Sequence, residues 1–113
     1  PKDNLALVKL EKSGLSTESF IDAGQIKTGQ RVFMVGARVL SQENTFSSSL
    51  IVNEGVVRNI GENSIETNIF ESGEAQGSPV FDIEGNVVGL ASLDYNGRVI
   101  VVPSGVIRQF AGF

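Results

Sequence analysis

The chemistry open to this chain rests on its serines and acidic residues, because its 113 residues include neither histidine nor cysteine. Without an imidazole, a Ser-His-Asp triad cannot be completed from this chain alone. Without imidazoles or thiolates, a metal site would need oxygen ligands only. The residue types therefore leave a serine helped by an outside base, a carboxylate cluster, or a site that binds without catalysing.

Ser78 is the tempting nucleophile, because it stands in a Gly-Ser-Pro step within a loop. Catalysis by a serine needs a positioned base, which this chain does not supply. Glu71, Glu74 and Glu84 are the acidic residues around the same loop, and their spacing matches no calcium loop. We interpret Ser78 as a structural loop residue and the carboxylates as solvated side chains, and we expect neither a metal nor a cofactor.

Length and charge exclude several classes of partner. Nine basic residues against thirteen acidic ones give a net charge of −4, which argues against nucleic acid or an anionic membrane as the partner. No apolar run approaches the ~18 residues that span a bilayer, and the polar first residues indicate no signal peptide within this chain. A chain of this length predicts a single domain over residues 1–113.

The elements that must position such a site are strands. The chain is rich in valine and isoleucine and has 13 glycines, a mixture that favours strands joined by tight turns. We predict a bulge or a sharp bend at Gly55, turns at Gly85 and Gly97, and a C-terminal helix with Ser104 as its N-cap. The pattern indicates an all-β barrel or sandwich with strands near 5–10, 31–36, 50–60, 64–68, 79–81, 87–93 and 99–102.

Residues 65–92 carry a family resemblance, reading IETNIFESGEAQGSP and then VFDIEGNVVGLAS. This run resembles the second barrel of trypsin-like serine proteases of the HtrA/Deg type, where a strand IQTD leads to a loop ending NSGGP and a strand VIGI. Segments 4–10, 30–36, 49–61 and 102–107 resemble further family strands in the same order. The resemblance implies a six-stranded antiparallel Greek-key barrel with a short C-terminal helix, the C-terminal half of a longer trypsin-like chain.

In the register of this resemblance, the catalytic positions are degenerate. The nucleophile falls on Gln76, whose carboxamide cannot attack a carbonyl. The triad aspartate falls on Asn4, which lacks the charge that stabilises an imidazolium. The oxyanion-hole glycine falls on Glu74, whose carboxylate opposes developing negative charge. The resemblance therefore implies an evolved bacterial pseudo-protease, whose missing histidine would belong to the first barrel.

A catalytically inactive copy of this fold can still bind a peptide. Proteases of this fold hold substrates as an extended strand through backbone hydrogen bonds, which need no nucleophile. We expect a module that binds a protein or a peptide, or that serves as a scaffold, through loop 73–79 and strand 87–93. A homodimer is compatible with this function. Val99 stands where the family has a glycine at the pocket mouth, and it either fills the pocket or packs as an ordinary strand residue. The predicted binding residues are Glu74, Ala75, Gln76, Gly77, Ser78, Gly89, Leu90, Ala91 and Val99.

Two alternatives stay open at this point. The first is a residual serine hydrolase in which Ser78 acts with a histidine from a partner or from a missing first barrel. The second is a purely structural oligomerisation domain without peptide preference. HtrA/Deg-like proteins are usually exported or membrane-anchored, so the resemblance favours a periplasmic or secreted location.

Overall fold

Six antiparallel strands close into one barrel in the computed structural model, which describes Leu5 and residues 19–21, 23–42 and 45–112. The strand order around the barrel is β1-β2-β3-β6-β5-β4, and a C-terminal helix follows the last strand. This confirms the predicted six-stranded barrel. The elements are β1 (Arg31–Gln42), β2 (Thr45–Ile60), β3 (Ile65–Phe70), β4 (Pro79–Phe81), β5 (Val87–Leu93), β6 (Arg98–Pro103) and α1 (Ser104–Ala111), with short 3₁₀ turns at Ala23–Gln25 and Gly73–Ala75.

The core follows from the two-residue period of the strands, because successive side chains point to opposite faces. In β3, Ile65, Thr67 and Ile69 are buried while the residues between them face outward. Thr67 is the polar member of this set, and its hydroxyl donates to the Val99 carbonyl at 2.7 Å and accepts the Ile69 N–H at 3.1 Å. The core comprises Ile26, Val32, Met34, Val57, Ile65, Ile69, Ala75, Val80, Val88, Ala91, Val99 and Val101.

Both predicted glycine turns are confirmed. Gly85 and Gly97 have φ of 84° and 82°, the left-handed region that glycine tolerates best. In the first turn, the carboxylate of buried Asp82 accepts two backbone N–H groups at 2.9 Å each. Asp94 does the same in the second turn, at 2.8 and 3.0 Å. Short-range side-chain chemistry therefore sets these two hairpins.

The predicted bulge at Gly55 is wrong. Gly55 pairs with Val32 in regular register, and the irregularity between β2 and β3 lies between Val57 and Asn59. Gly55 is needed for close packing instead, because a Cβ there would lie 2.3 Å from Oδ1 of Asn68.

The predicted N-cap at Ser104 is also wrong. Ser104 is the first residue of α1, and Pro103 occupies the cap position without a side-chain cap bond. The Ser104 hydroxyl donates instead to the Ile21 carbonyl at 2.6 Å, so it ties the helix start to a segment distant in the sequence. Asn4 and the predicted strand 5–10, apart from Leu5, lie outside the described residues.

The β1–β2 hairpin is longer than predicted and extends past the barrel wall. β1 pairs with β4 only at Phe33 and Met34, and β2 pairs with β3 only from Val57 onward. Beyond these points the two strands pair only with each other, up to Gln42 opposite Thr45. We call residues 37–42 and 45–52 the ribbon. In the described part of the chain, no helix has the length and apolar character to cross a bilayer.

Candidate functional site

The loop between β3 and β4 folds back on itself through backbone hydrogen bonds. The Ala75 N–H donates to the Ser72 carbonyl at 3.0 Å, and the Gln76 N–H donates to the Gly73 carbonyl at 3.3 Å. The Ser78 N–H then donates to the Ala75 carbonyl at 3.0 Å. These bonds build the 3₁₀ turn Gly73–Ala75, and they direct the backbone N–H of Gln76 into the loop itself.

Strand β5 holds the second half of this loop. The Gly77 N–H donates to the Ala91 carbonyl at 2.7 Å, and the Ala91 N–H donates to the Ser78 carbonyl at 2.7 Å. Gly77 has φ of 87°, a conformation that a residue with a side chain rarely adopts. Ala75 inserts its methyl group into the core. The loop is therefore a fixed part of the barrel wall.

Ser78 does not present its hydroxyl as an exposed nucleophile would. The residue is only 9% exposed. Its Oγ packs against the backbone of Gly36 in β1, since a Cβ built on Gly36 would meet that oxygen at 2.8 Å. The side chain thus fills the space that glycine leaves on the neighbouring strand.

A cleft of about 270 Å³ lies between the loop and β5, next to Gln76. It brings together the predicted binding residues Gln76, Gly77, Leu90 and Ala91. Three further lining residues were missed: Leu5, Ser92 and Val102. Ser92 lies within the predicted strand 87–93 but was not among the predicted binding residues, and Val102 lies opposite Leu90 across β5 and β6, so a strand pairing scheme would have found both. No local signal marks Leu5.

Besides Ala75 and Ser78, three further predicted binding residues are buried: Gly89, Ala91 and Val99. Val99 is fully buried in the core, so it packs as an ordinary strand residue and offers no surface to a ligand. Gly89 is buried where β5 and β6 approach closely, because a Cβ there would lie 2.0 Å from the Val102 carbonyl oxygen. Glu74, in contrast, is exposed on the 3₁₀ turn that precedes Gln76.

The end of β5 beside the cleft offers an open backbone edge. The Asp94 N–H donates to the Arg98 carbonyl at 3.0 Å, which fixes the alternation of the antiparallel β5–β6 ladder. Leu90 and Ser92 therefore direct their backbone groups towards β6, while Ala91 and Leu93 direct theirs away. The loop takes up the groups of Ala91, whereas those of Leu93 have no partner among the described residues.

A second cavity on the described surface is separate from this cleft. A larger cavity of about 710 Å³ lies between segment 21–31 and the β4–β5 turn, and it is lined by Lys27, Arg31 and Glu84 among others. None of the predicted binding residues lines it. Within the described ranges, no three acidic side chains lie close enough to hold a metal ion.

Comparison with known proteins identifies what this arrangement is similar to. The family model of the trypsin-like peptidase domain matches residues 1–90. No curated protein matched. Among solved structures, a catalytically inactive tobacco etch virus protease complexed with substrate superposes with a TM-score of 0.57 at 17% identity, covering 83% of this chain and 44% of that one.

A second solved structure, the MamO protease domain from Magnetospirillum magneticum, superposes with a TM-score of 0.52 at 22% identity. The match covers 78% of this chain and 52% of that domain. The chain thus spans about half the length of each of these two proteins. At these identities the similarity shows a shared fold.

Proposed function

This chain belongs to the trypsin-like peptidase domain family, and from that premise we propose that it is a catalytically inactive, HtrA-like member that binds a protein or extended peptide without cleaving it. The observation that carries the proposal is Gln76. Its side chain stands at the nucleophile position of the resemblance, and its backbone N–H is bonded to the Gly73 carbonyl.

Both halves of that observation oppose acyl transfer. The nitrogen lone pair of a carboxamide is delocalised into its carbonyl, so the group is not a nucleophile and does not form an acyl-enzyme. In trypsin-like enzymes the backbone N–H of the nucleophile also donates to the oxyanion, and loss of one such donor costs about 10²–10³ in kcat. Here that donor is occupied at 3.3 Å. The neighbouring oxyanion position carries Glu74, which brings a carboxylate where a glycine would leave room for negative charge.

The binding half of the proposal rests on the cleft and on the edge of β5. An extended peptide can pair with the N–H and C=O of Leu93 in the manner of an added strand. One of its side chains then enters the cleft, whose walls include Leu90 and Val102. Aliphatic walls in a space of about 270 Å³ favour an apolar side chain of moderate size over a charged one.

The residual-hydrolase alternative has less support. Ser78 would have to turn its hydroxyl out of a site where it is 9% exposed and packed against Gly36. It would also need a histidine from elsewhere. We further infer that this chain is the second-barrel half of a longer protein, in keeping with the half coverage of its structural relatives, and that the protein is periplasmic or secreted.

Amide chemical shifts measured by NMR test the proposal directly. The probes are blocked decapeptides with Ala, Val, Leu or Phe at the centre. We expect shifts at the amides of Gln76, Gly77 and Leu93 and intact peptides by mass spectrometry. Leu90→Asp should abolish the shifts, whereas the matched change Ile83→Asp, at a 70% exposed position on the β4–β5 turn, should not.

The two halves of the proposal fail separately. New peptide termini, or labelling of Ser78 by a fluorophosphonate, would show a working hydrolase and refute inactivity. Silence of the cleft amides towards every peptide would refute peptide binding and favour a purely structural oligomerisation domain.

A further inference from the structure

One side of the ribbon is an open strand edge. The Val57 N–H donates to the Gln30 carbonyl at 2.9 Å, so odd-numbered residues of β2 direct their backbone groups towards β1. Even-numbered residues direct theirs the other way, and the Val56 N–H accordingly meets Oδ1 of Asn68 at 2.8 Å. The groups of Leu50 and Val52 point in this same direction, where β3 no longer runs alongside.

The open edge has a defined end. Asn53 closes it on the barrel side, because its side-chain amide donates to the Phe70 carbonyl at 3.3 Å and to the Glu71 carboxylate at 3.0 Å. From there to the tip of the hairpin, β2 pairs only with β1 among the described residues. The free stretch is residues 45–52.

This edge lacks the features that prevent strand pairing. Natural sheets protect their edges with charges, prolines or bulges. Residues 45–52 read TFSSSLIV, with no charge and no proline, and their pairing with β1 is regular. The opposite edge of the ribbon, residues 37–42, carries Arg38. The outer face beside the unprotected edge is apolar, since Leu50 is 78% and Val52 65% exposed.

We propose that residues 46–52 of β2 pair antiparallel with the same residues of a second copy of this chain, with Ser49 opposite Ser49, and form a closed two-fold dimer. The occupant is a second copy, because two copies of an uncharged strand do not repel each other. No charged residue along the strand would favour a partner of opposite charge. A two-fold axis normal to the sheet keeps Leu50 and Val52 of both copies on one face, where Leu50 of one copy lies diagonally across from Leu50 of the other. Each edge is then used once, so assembly stops at the dimer.

The surface is separate from the proposed peptide cleft. The cleft lies between β5 and the loop that follows β3, and it uses the edge at Leu93. The dimer uses β2 beyond Asn53. Loss of one function therefore need not affect the other, and the two proposals can fail independently.

Sedimentation velocity of the chain in its full natural length, across a concentration series, is the test. We expect the weight-average mass to rise from the monomer towards twice that value. Leu50→Pro should hold it at the monomer, because proline removes an N–H that points to the open edge and leaves the β1–β2 hydrogen bonds in place. Leu50→Thr keeps that N–H and should weaken the dimer only in part. Ile83→Lys, which alters an equally exposed apolar residue elsewhere, should leave it unchanged.

Hydrogen exchange of the unmodified chain keeps the test valid if the proline variant fails to fold. The amides of Leu50 and Val52 should exchange more slowly as concentration rises, while that of Tyr95 should not change. A monomer at every concentration would overturn the proposal, as would a dimer that survives Leu50→Pro. Protection that is independent of concentration would also overturn it, because it would mean that another segment of the same chain covers the edge.

Discussion

Replacing Gly89 with alanine is expected to destabilise the barrel rather than to affect binding selectively. A Cβ at this position would lie 2.0 Å from the Val102 carbonyl oxygen, 2.6 Å from Cγ1 of Val101 and 2.9 Å from the Val102 carbonyl carbon. Two of these atoms belong to the backbone of β6, so no rotamer change relieves the contact. Strands β5 and β6 must separate where they form the wall behind the cleft.

The size of the effect follows from two opposing contributions. Overpacking a filled interior costs about 1–3 kcal/mol, and backbone obstruction puts this site at the upper end. Alanine reduces the conformational freedom of the unfolded chain, which returns roughly 0.5–1 kcal/mol. The net loss is about 2 kcal/mol, which lowers Tm by roughly 8–16 °C in a domain of this size.

Urea and thermal unfolding followed by circular dichroism measure this loss. Gly105→Ala is the matched control, because Gly105 lies in α1 and a Cβ there meets nothing within 4 Å. That variant should gain about 0.5–1 kcal/mol from helix propensity. Equal stability of the Gly89→Ala and Gly105→Ala proteins would refute the reasoning. Normal stability of Gly89→Ala with lost peptide binding would return Gly89 to the binding surface.

Three further predictions concern the core, a turn and the loop that carries Gln76. Thr67→Val should lower the free energy of unfolding in urea by about 1–3 kcal/mol, because it removes a donor to one buried backbone group and an acceptor for another; unchanged stability would show that these groups find other partners. Asp82→Ala should cost a similar amount, roughly 1–3 kcal/mol, since the 5% exposed carboxylate holds two turn amides, and faster exchange at those amides would report it. Gln76→Ser should not make the chain react with a fluorophosphonate, because the N–H at this position stays bonded to the Gly73 carbonyl and the chain has no histidine. Labelling of the double variant Gln76→Ser with Ser78→Ala, in which the new serine is the one that reacts, would contradict this.

Local sequence determined much of the barrel. In β3, the two-residue alternation identifies the buried face without further information. Gly85 and Gly97 mark turns because few other residues tolerate positive φ. The loop with Gln76 and the strand with Leu90 and Ala91 were also found from the sequence, through their order and spacing in the family resemblance.

The length of β2 and the helix cap could not be predicted in this way. Serines 47–49 are weak strand formers, and only pairing with β1 makes them part of a long strand. Ser104 has the residue type of an N-cap, yet its hydroxyl bonds to Ile21, a partner that no local pattern reveals. Contacts between distant residues decided both outcomes.

The sequence by itself determined which residue types this chain can bring to a site: it has neither histidine nor cysteine, and in the register of the family resemblance Gln76 falls on the nucleophile position. Only the tertiary structure decided where those groups point. Barrel closure buries Val99, Gly89 and Ala91 and leaves Leu90 half-exposed beside the cleft, although all four lie on adjacent predicted strands. The physical reason is that the two-residue period of a strand divides its side chains between two faces. Which of those faces is buried, and against which residues, depends on how β5 packs against β6 and the loop.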